Sequence, residues 1–227
     1  MRWEVSNRPS YSLLKISLEP GEALVAEPGA MVLYRGAVLI DTGARGGIAA
    51  ALLRSMFGGE SLFLNTFRAE GESEVWLAPN LPGDIHYLPL DGNGYIIQQG
   101  SYLAHHGDAE IGIAWRGFRG LLTEGELIWL RVRGYGGVWV TAFGGIEQVN
   151  INAGEKVIVD NFHFVAMDED TTHYIRTFGG IKSFLLGGEG IVVEVQGPTN
   201  LWLQTRHIAS LANELLPILR RHLRRSS

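Results

Sequence analysis

Short apolar runs separated by glycine-rich turns recur along the whole chain. Residues 127–133 and 191–196 are rich in β-branched and aromatic residues and alternate between apolar and polar positions towards their ends. This pattern is typical of half-buried strands. Further strands are predicted at 23–26, 31–34, 95–98, 102–105, 157–160 and 162–167. Many short strands with regular turn signals predict an all-β chain of antiparallel sandwich or barrel units.

Three evenly spaced tryptophans, 63 residues apart, indicate a repeat: Trp76, Trp139 and Trp202. Each lies between aliphatic residues, and each follows by five positions a glycine that is predicted to open a short turn: Gly71, Gly134 and Gly197. We interpret the chain as one compact domain of three repeats that share a core, with the tryptophans packed inside rather than forming a ligand cage. The repeats span about 11–85, 86–148 and 149–206.

Two segments interrupt the strand pattern. Residues 47–57, bracketed by glycine pairs, are rich in Ala and Leu and predict a short helix. The C-terminal segment 207–227 carries Leu and Ile on one stripe with arginines off it, which predicts an amphipathic helix. Pro217 lies inside this stripe, so a kink or restart is expected near 214–216.

The first of these helices is the predicted interface. It is apolar on nearly every side, with Arg54 as its only charge, and such a helix needs cover on more than one face. We expect it to be buried between subunits, with docking on a membrane or a partner protein as the alternative. The residues predicted to make this contact are Ile48, Leu52, Leu53, Met56 and Phe57.

Charge is distributed unevenly along the chain. From Arg206 onward there are five arginines and one acid, Glu214, so this segment has a net charge of +4. Because the whole chain has a net charge of −5, the first 205 residues carry −9. An acidic body repels phosphate backbones, which argues against a nucleic-acid partner. The C-terminal helix could lie on anionic lipid, although we favour its packing on the body. The residues for such a lipid contact are Arg220, Arg221, Arg224 and Arg225.

Composition and motifs exclude several kinds of chemistry. The 227 residues include no Cys, which excludes disulfides, thiolate metal sites and cysteine nucleophiles. No dinucleotide fingerprint, phosphate-binding loop or G-x-S-x-G elbow occurs. With neither a signal peptide nor a membrane-spanning apolar stretch, a cytoplasmic location is expected.

The seven histidines contain no His-x-His pair of the kind that cupin-like barrels use for a metal. His163 and His173 flank an acidic turn and could converge on an ion, but their spacing does not require it. We therefore predict a non-enzymatic protein without cofactor or metal. A cupin-like barrel that binds a metal or a small ligand is the alternative.

Three glycine-dense or tryptophan-containing segments, 58–64, 178–183 and 201–206, resemble motifs of the altered-inheritance-of-mitochondria-related family of uncharacterised prokaryotic proteins. The similarity covers nearly the whole chain and is weakest over 100–125. It implies a fold like that of the tryptophan RNA-binding attenuation protein, related to cupin-like double-stranded β-helices, and homo-oligomers that we expect to be trimers.

For eukaryotic relatives this resemblance implies a role in organising the mitochondrial inner membrane, and for prokaryotic members it implies no established activity. The attenuation protein's tryptophan and RNA sites are not carried over, because no matching basic strand motif is found and the body is acidic. The sequence thus predicts an oligomeric scaffold or interaction protein whose protein partner it does not identify.

Overall fold

The structure, a computed structural model, describes residues 1–42, 64–116, 128–177 and 191–223. These residues form fourteen strands, two short 3-10 turns (Gln99–Ser101 and Asn161–His163) and one helix, α1 (Ile208–Leu223). The strands are β1 (Arg2–Ser6), β2 (Leu13–Leu18), β3 (Ala23–Ala26), β4 (Met31–Thr42), β5 (Asn65–Leu77), β6 (Ile85–Gln98), β7 (Tyr102–Arg116), β8 (Ile128–Thr141), β9 (Ile146–Ile151), β10 (Lys156–Asp160), β11 (Phe164–Asp168), β12 (Thr172–Thr177), β13 (Ile191–Gln196) and β14 (Thr199–Gln204).

Eleven strands form one large antiparallel sheet in the order β1-β2-β5-β3-β7-β8-β6-β11-β14-β9, with β4 paired to β5. The remaining three form a small sheet in the order β10-β13-β12. Within the described ranges β1 and β9 lie at opposite ends of the large sheet and do not pair with each other. The predicted all-β class is therefore confirmed, whereas the large sheet is not a closed barrel.

Several strands are longer than the local pattern predicts, because glycines that were expected to open turns lie inside continuous strands. β5 runs through Gly71 and β8 runs through Gly134. Gly134 has a φ of +130°, and a Cβ there would collide with the carbonyl oxygen of Asp108 on the neighbouring strand β7. The glycine lets the paired strands bend and approach closely without a turn. Only the turn at Gly197, between β13 and β14, is confirmed.

The tryptophans of the 63-residue spacing pack in different surroundings. Trp139 is fully buried and Trp202 is 5% exposed, which confirms them as core residues. Trp76 is half-buried and lies between two cations: Nζ of Lys15 is 5.2 Å and Cζ of Arg35 is 5.8 Å from its ring centroid. Both distances are within the range of cation–π attraction.

Candidate functional site

Helix α1 exposes an apolar face along most of its length. Five apolar side chains are between 43% and 54% exposed: Ile208, Leu215, Leu216, Ile218 and Leu219. The expected packing of this helix on the body is therefore wrong for most of the described helix. The helix also passes through Pro217 as one element, so the expected restart does not occur. An isolated helix of 16 residues is marginal in water, and helices in proteins gain most of their stability by packing an apolar face.

The basic end of α1 is only partly described. Arg220 and Arg221 lie in its last turn and are exposed, where positive charge interacts favourably with the helix dipole. Arg224 and Arg225 lie outside the described residues. The predicted interface residues of the first helix lie outside them too, within 43–63: Ile48, Leu52, Leu53, Met56 and Phe57.

The start of α1 is held by His207. The backbone N–H of Ser210 donates to Nδ1 of His207 at 3.2 Å, and the Ser210 hydroxyl donates to the His207 carbonyl oxygen at 2.9 Å. The ring thus satisfies one of the free N–H groups of the first turn, as an N-cap side chain does. Phe162 stacks on the same ring with centroids 5.1 Å apart and planes at 15°. These contacts attach the helix start to the turn between β10 and β11.

That turn is shaped by side chains at both of its ends. Asp160, the last residue of β10, accepts a hydrogen bond at Oδ1 from the Phe162 N–H at 3.0 Å. At the other end, Nδ1 of His163 lies 2.6 Å from the carbonyl oxygen of Gln204. The Gln204 side chain donates to the Phe162 carbonyl at 2.7 Å and accepts from the Phe143 N–H at 2.9 Å. The end of β14 therefore fixes the turn through both its backbone and its side chain.

Asp160, His163 and His207 converge at this junction. Each offers a ligand atom, the three atoms lie within 4.8 Å of one another, and all three residues are half-buried. The two imidazole rings stand nearly perpendicular, with centroids 5.0 Å apart. Burial lowers the pKa of His207 and the nearby His163 lowers it further, while Asp160 acts in the opposite direction. The net effect favours the neutral, ligand-competent imidazole.

The sequence left open whether His163 and His173 converge; in the structure the cluster that contains His163 is formed with Asp160 and His207 instead. The His173 ring lies 5.6 Å from that of Trp129, and its Nδ1 is 2.9 Å from the carbonyl oxygen of Thr171. His207 was missed because it is 44 residues away from His163 in the sequence. Only the pairing of β14 with β11 brings it back to the turn.

A cleft of about 220 Å³ borders the same junction. Its polar lining includes Glu27, Gln98, Ser101 and Gln204, and Ile208 at the start of α1 also contributes. Burial raises the pKa of Glu27 to about 7. This carboxyl group therefore holds its proton more tightly than an exposed Glu does, and no other Asp, Glu, His, Lys or Arg is among the described lining residues.

Residues 3–206 match the family model described as Mitochondrial biogenesis AIM24. The chain belongs to the AIM24 family. It is 28% identical over 223 residues to an uncharacterised protein of Streptococcus pyogenes serotype M6, covering 95% of this chain and 90% of that protein. It also resembles a crystal structure of a Streptococcus pyogenes protein with a TM-score of 0.82 and 28% identity, covering 96% and 99% of the two chains.

The expected family resemblance is thus confirmed. The AIM24 match includes Asp160 and His163 but ends at residue 206, just before His207, and α1 begins at Ile208. Among the described residues of this AIM24 chain, no helix has the length and apolar character needed to cross a membrane.

Proposed function

We propose that this AIM24-family chain is a non-enzymatic subunit of a homo-oligomeric scaffold, and that α1 is its association element. The observation that carries the proposal is the exposed apolar face of α1. Leu215 and Leu219, one turn apart, are 45% and 54% exposed on one side of the helix. Covering them removes apolar area from water, which stabilises association.

The proposed occupant of this face is a second copy of the chain. The segment from Arg206 onward carries +4, while the first 205 residues carry −9. The basic C-terminal segment of one copy is therefore attracted to the acidic first 205 residues of another copy. Charge complementarity of this kind orients partners and weakens as salt increases.

Strand β4 supplies a complementary surface on the body. It pairs only with β5 among the described strands, and its exposed apolar side chains are Met31, Val32, Tyr34, Leu39 and Ile40. Beside it, Glu70 and Glu72 of β5 are exposed. Arg35 of β4 is paired with Glu74 at 2.9 Å, and Arg68 of β5 lies opposite Leu39. The acidic part of this surface is therefore at Glu70 and Glu72, which suits an apolar helix that ends in arginines. A head-to-tail contact between α1 of one copy and β4 of the next is heterologous. Such contacts form a closed ring when the rotation between copies closes, and the ring that we propose has three copies.

We also propose that the subunit consists of three repeats with an attenuation-protein-like fold. The support for this is that the three tryptophans are paired in the same way. The strand of each tryptophan lies between two strands that come before it in the sequence. Trp76 pairs with Lys15 and Leu33, Trp139 with Tyr87 and Ala104, and Trp202 with Gln148 and Ala166. Equivalent pairing around equally spaced residues is what duplication of one unit produces.

The mass of the purified, untagged protein in solution tests the scaffold proposal. Light scattering is expected to give a multiple of the 24.9 kDa chain, with three copies as the proposed value. The double substitution L215Q/L219Q should shift the mass towards the monomer, because Gln keeps helix propensity but removes the apolar face. N213Q lies on the opposite side of α1 and is the matched control.

A monomeric wild type at about 100 μM, a concentration at which even weak specific association is visible, would overturn the scaffold proposal. An oligomer that L215Q/L219Q leaves intact would remove α1 from the interface. An anionic lipid surface is the other occupant that suits apolar residues flanked by arginines. If the monomeric protein pelleted with phosphatidylserine vesicles but not with neutral ones, the membrane would replace the second copy.

A further inference from the structure

We propose that Asp160, His163 and His207 bind one divalent transition-metal ion, with Zn²⁺ as the reference ion. Such an ion would join the start of α1 to the turn between β10 and β11. The inference concerns a site separate from the apolar face of α1 and does not depend on oligomer formation. It rests on the convergence of two imidazoles and one carboxylate within 4.8 Å.

The hydrogen bond of His163 sets a tautomer that suits a metal ligand. Its Nδ1 lies 2.6 Å from the Gln204 carbonyl oxygen, which can only accept a hydrogen bond, so Nδ1 carries the proton. Nε2 then keeps its lone pair. A histidine whose other ring nitrogen donates to a carbonyl is the arrangement that supports metal ligands, because it fixes both tautomer and ring direction.

Asp160 keeps one oxygen available. Oδ1 accepts from the Phe162 N–H, whereas Oδ2 has no hydrogen-bond partner among the described residues. Asp160 is the N-cap of the 3-10 turn Asn161–His163, and His163 is its last residue, so the two side chains belong to one short turn. The turn therefore presents a carboxylate oxygen and an imidazole nitrogen on the same side.

His207 is the ligand that must adjust. Its Nδ1 accepts from the Ser210 N–H, so the neutral ring carries its proton on Nε2. An ion at Nδ1 replaces this N–H contact, and an ion at Nε2 displaces the proton. Both changes cost affinity, so we expect a dissociation constant on the order of micromolar rather than the far tighter binding of closed structural zinc sites.

The distances fit a first-row metal after a small contraction. With Zn–N bonds of about 2.0–2.1 Å and tetrahedral angles, two ligating imidazoles have centroids roughly 5 Å apart. The observed separation of the His163 and His207 centroids is 5.0 Å. Ligand atoms of a tetrahedral site lie about 3.3–3.4 Å apart. The three ligand atoms here lie within 4.8 Å of one another, so modest side-chain rotation brings them to that spacing.

The donor set identifies the class of ion. Imidazole nitrogens favour Zn²⁺, Cu²⁺, Ni²⁺ and Fe²⁺, whereas Mg²⁺ and Ca²⁺ prefer oxygen ligands. Three protein ligands leave at least one position for water or for a group from a partner. Mg²⁺ is therefore the negative control for the choice of ion. The variant H173Q is the negative control for the choice of ligand residues.

Titration calorimetry with Zn²⁺ alone tests the proposal on the untagged, chelator-treated full-length protein. One equivalent of Zn²⁺ should bind and Mg²⁺ should not. H163Q and H207Q should each weaken binding at least tenfold. D160N should do the same while its amide oxygen still caps the turn, and H173Q should bind like the wild type. Co²⁺ loading should give visible absorption typical of nitrogen and oxygen ligands at low coordination number.

The absence of Zn²⁺ binding up to millimolar concentration would overturn the proposal. So would wild-type affinity in H163Q and H207Q, which would place the ion elsewhere in the chain. Circular dichroism of each variant distinguishes loss of ligands from loss of the fold. A histidine variant that unfolds is replaced by the corresponding Asn substitution, and D160N by D160S, whose hydroxyl can also cap the turn.

Discussion

Both carboxylate oxygens of Asp84 accept hydrogen bonds from the single guanidinium group of Arg8, at 2.8 Å each. The Ser12 hydroxyl and the Ile85 N–H add bonds of 2.9 and 2.8 Å. The Asp84 side chain is 5% exposed and that of Arg8 is 50% exposed. This network ties the connection between β1 and β2 to the beginning of β6, and it satisfies a carboxylate that would otherwise be costly to bury.

Replacing Asp84 by Asn should therefore destabilise the protein. The substitution keeps the shape but removes the charge that Arg8, the Ser12 hydroxyl and the Ile85 N–H recognise. We expect a loss of about 2–3 kcal/mol in the free energy of unfolding, because hydrogen bonds to charged groups contribute about 1.5–3 kcal/mol. Urea denaturation at pH 7 measures the loss, and a change below about 0.5 kcal/mol would contradict the assigned role.

The same network should appear in the pH dependence of stability. Burial raises the pKa of Asp84, but the bonds from Arg8, Ile85 and Ser12 outweigh it, so the net pKa is lowered. A carboxyl group with a lowered folded-state pKa stabilises fully above its unfolded pKa, about 3.9, and loses this contribution as the pH falls through the folded value. The difference between wild type and D84N should therefore be constant near pH 7 and shrink below about pH 4.

Glu27 should have the opposite dependence. Burial raises its pKa from 4.5 to about 7, so the folded protein holds this proton more tightly than the unfolded chain does. Stability contributed by Glu27 then falls as the pH rises from 4.5 to 7. We expect E27Q to be more stable than wild type at pH 8 by about 1–2 kcal/mol, allowing for partial solvation, and equal to it at pH 4. Thermal or urea unfolding at both pH values measures this; a less stable E27Q at pH 8 would contradict it.

Glycines with a positive φ should differ in their tolerance to alanine. Gly136 has a φ of +126°, and a Cβ there would collide with the carbonyl oxygen of His106. Gly154 has a φ of +84° but open space around it. G154A should cost about 1–2 kcal/mol for the backbone conformation alone. G136A should cost about 2 kcal/mol more, since β7 and β8 must separate. Equal free energies of unfolding for the two variants would contradict this.

The arginines of α1 should strengthen the proposed self-association. Reversing charge in R220E/R221E replaces attraction to an acidic body with repulsion, so dissociation constants should rise about 3–30-fold at low salt. Sedimentation at two ionic strengths measures the change. The difference from wild type should nearly vanish in about 1 M salt, where the screening length is about 3 Å. A difference that persists at high salt would show that the substitutions disturb the helix instead.

The local sequence pattern predicted the bounds of the short strands and of the helix best. β3 lies at Ala23–Ala26 as predicted, and α1 begins one residue after the predicted start at 207. The lengths of β5 and β8 were not predictable, because Gly71 and Gly134 favour turns in a local pattern. At Gly134 pairing with Ala109 of β7 continues the strand. At Gly71 the strand β5 continues as well, although the register with β4 shifts between Ser73 and Ala69.

The sequence by itself determined the all-β class, the position of the amphipathic helix and the family of the chain. Each depends on patterns of neighbouring residues: alternation, stripes of apolar side chains and glycine-dense motifs. Tertiary structure alone decided that the sheet is open, that α1 exposes its apolar face, and that His207 meets Asp160 and His163. Those features depend on which distant segments pair, and pairing is set by the packing of the whole sheet rather than by local preference.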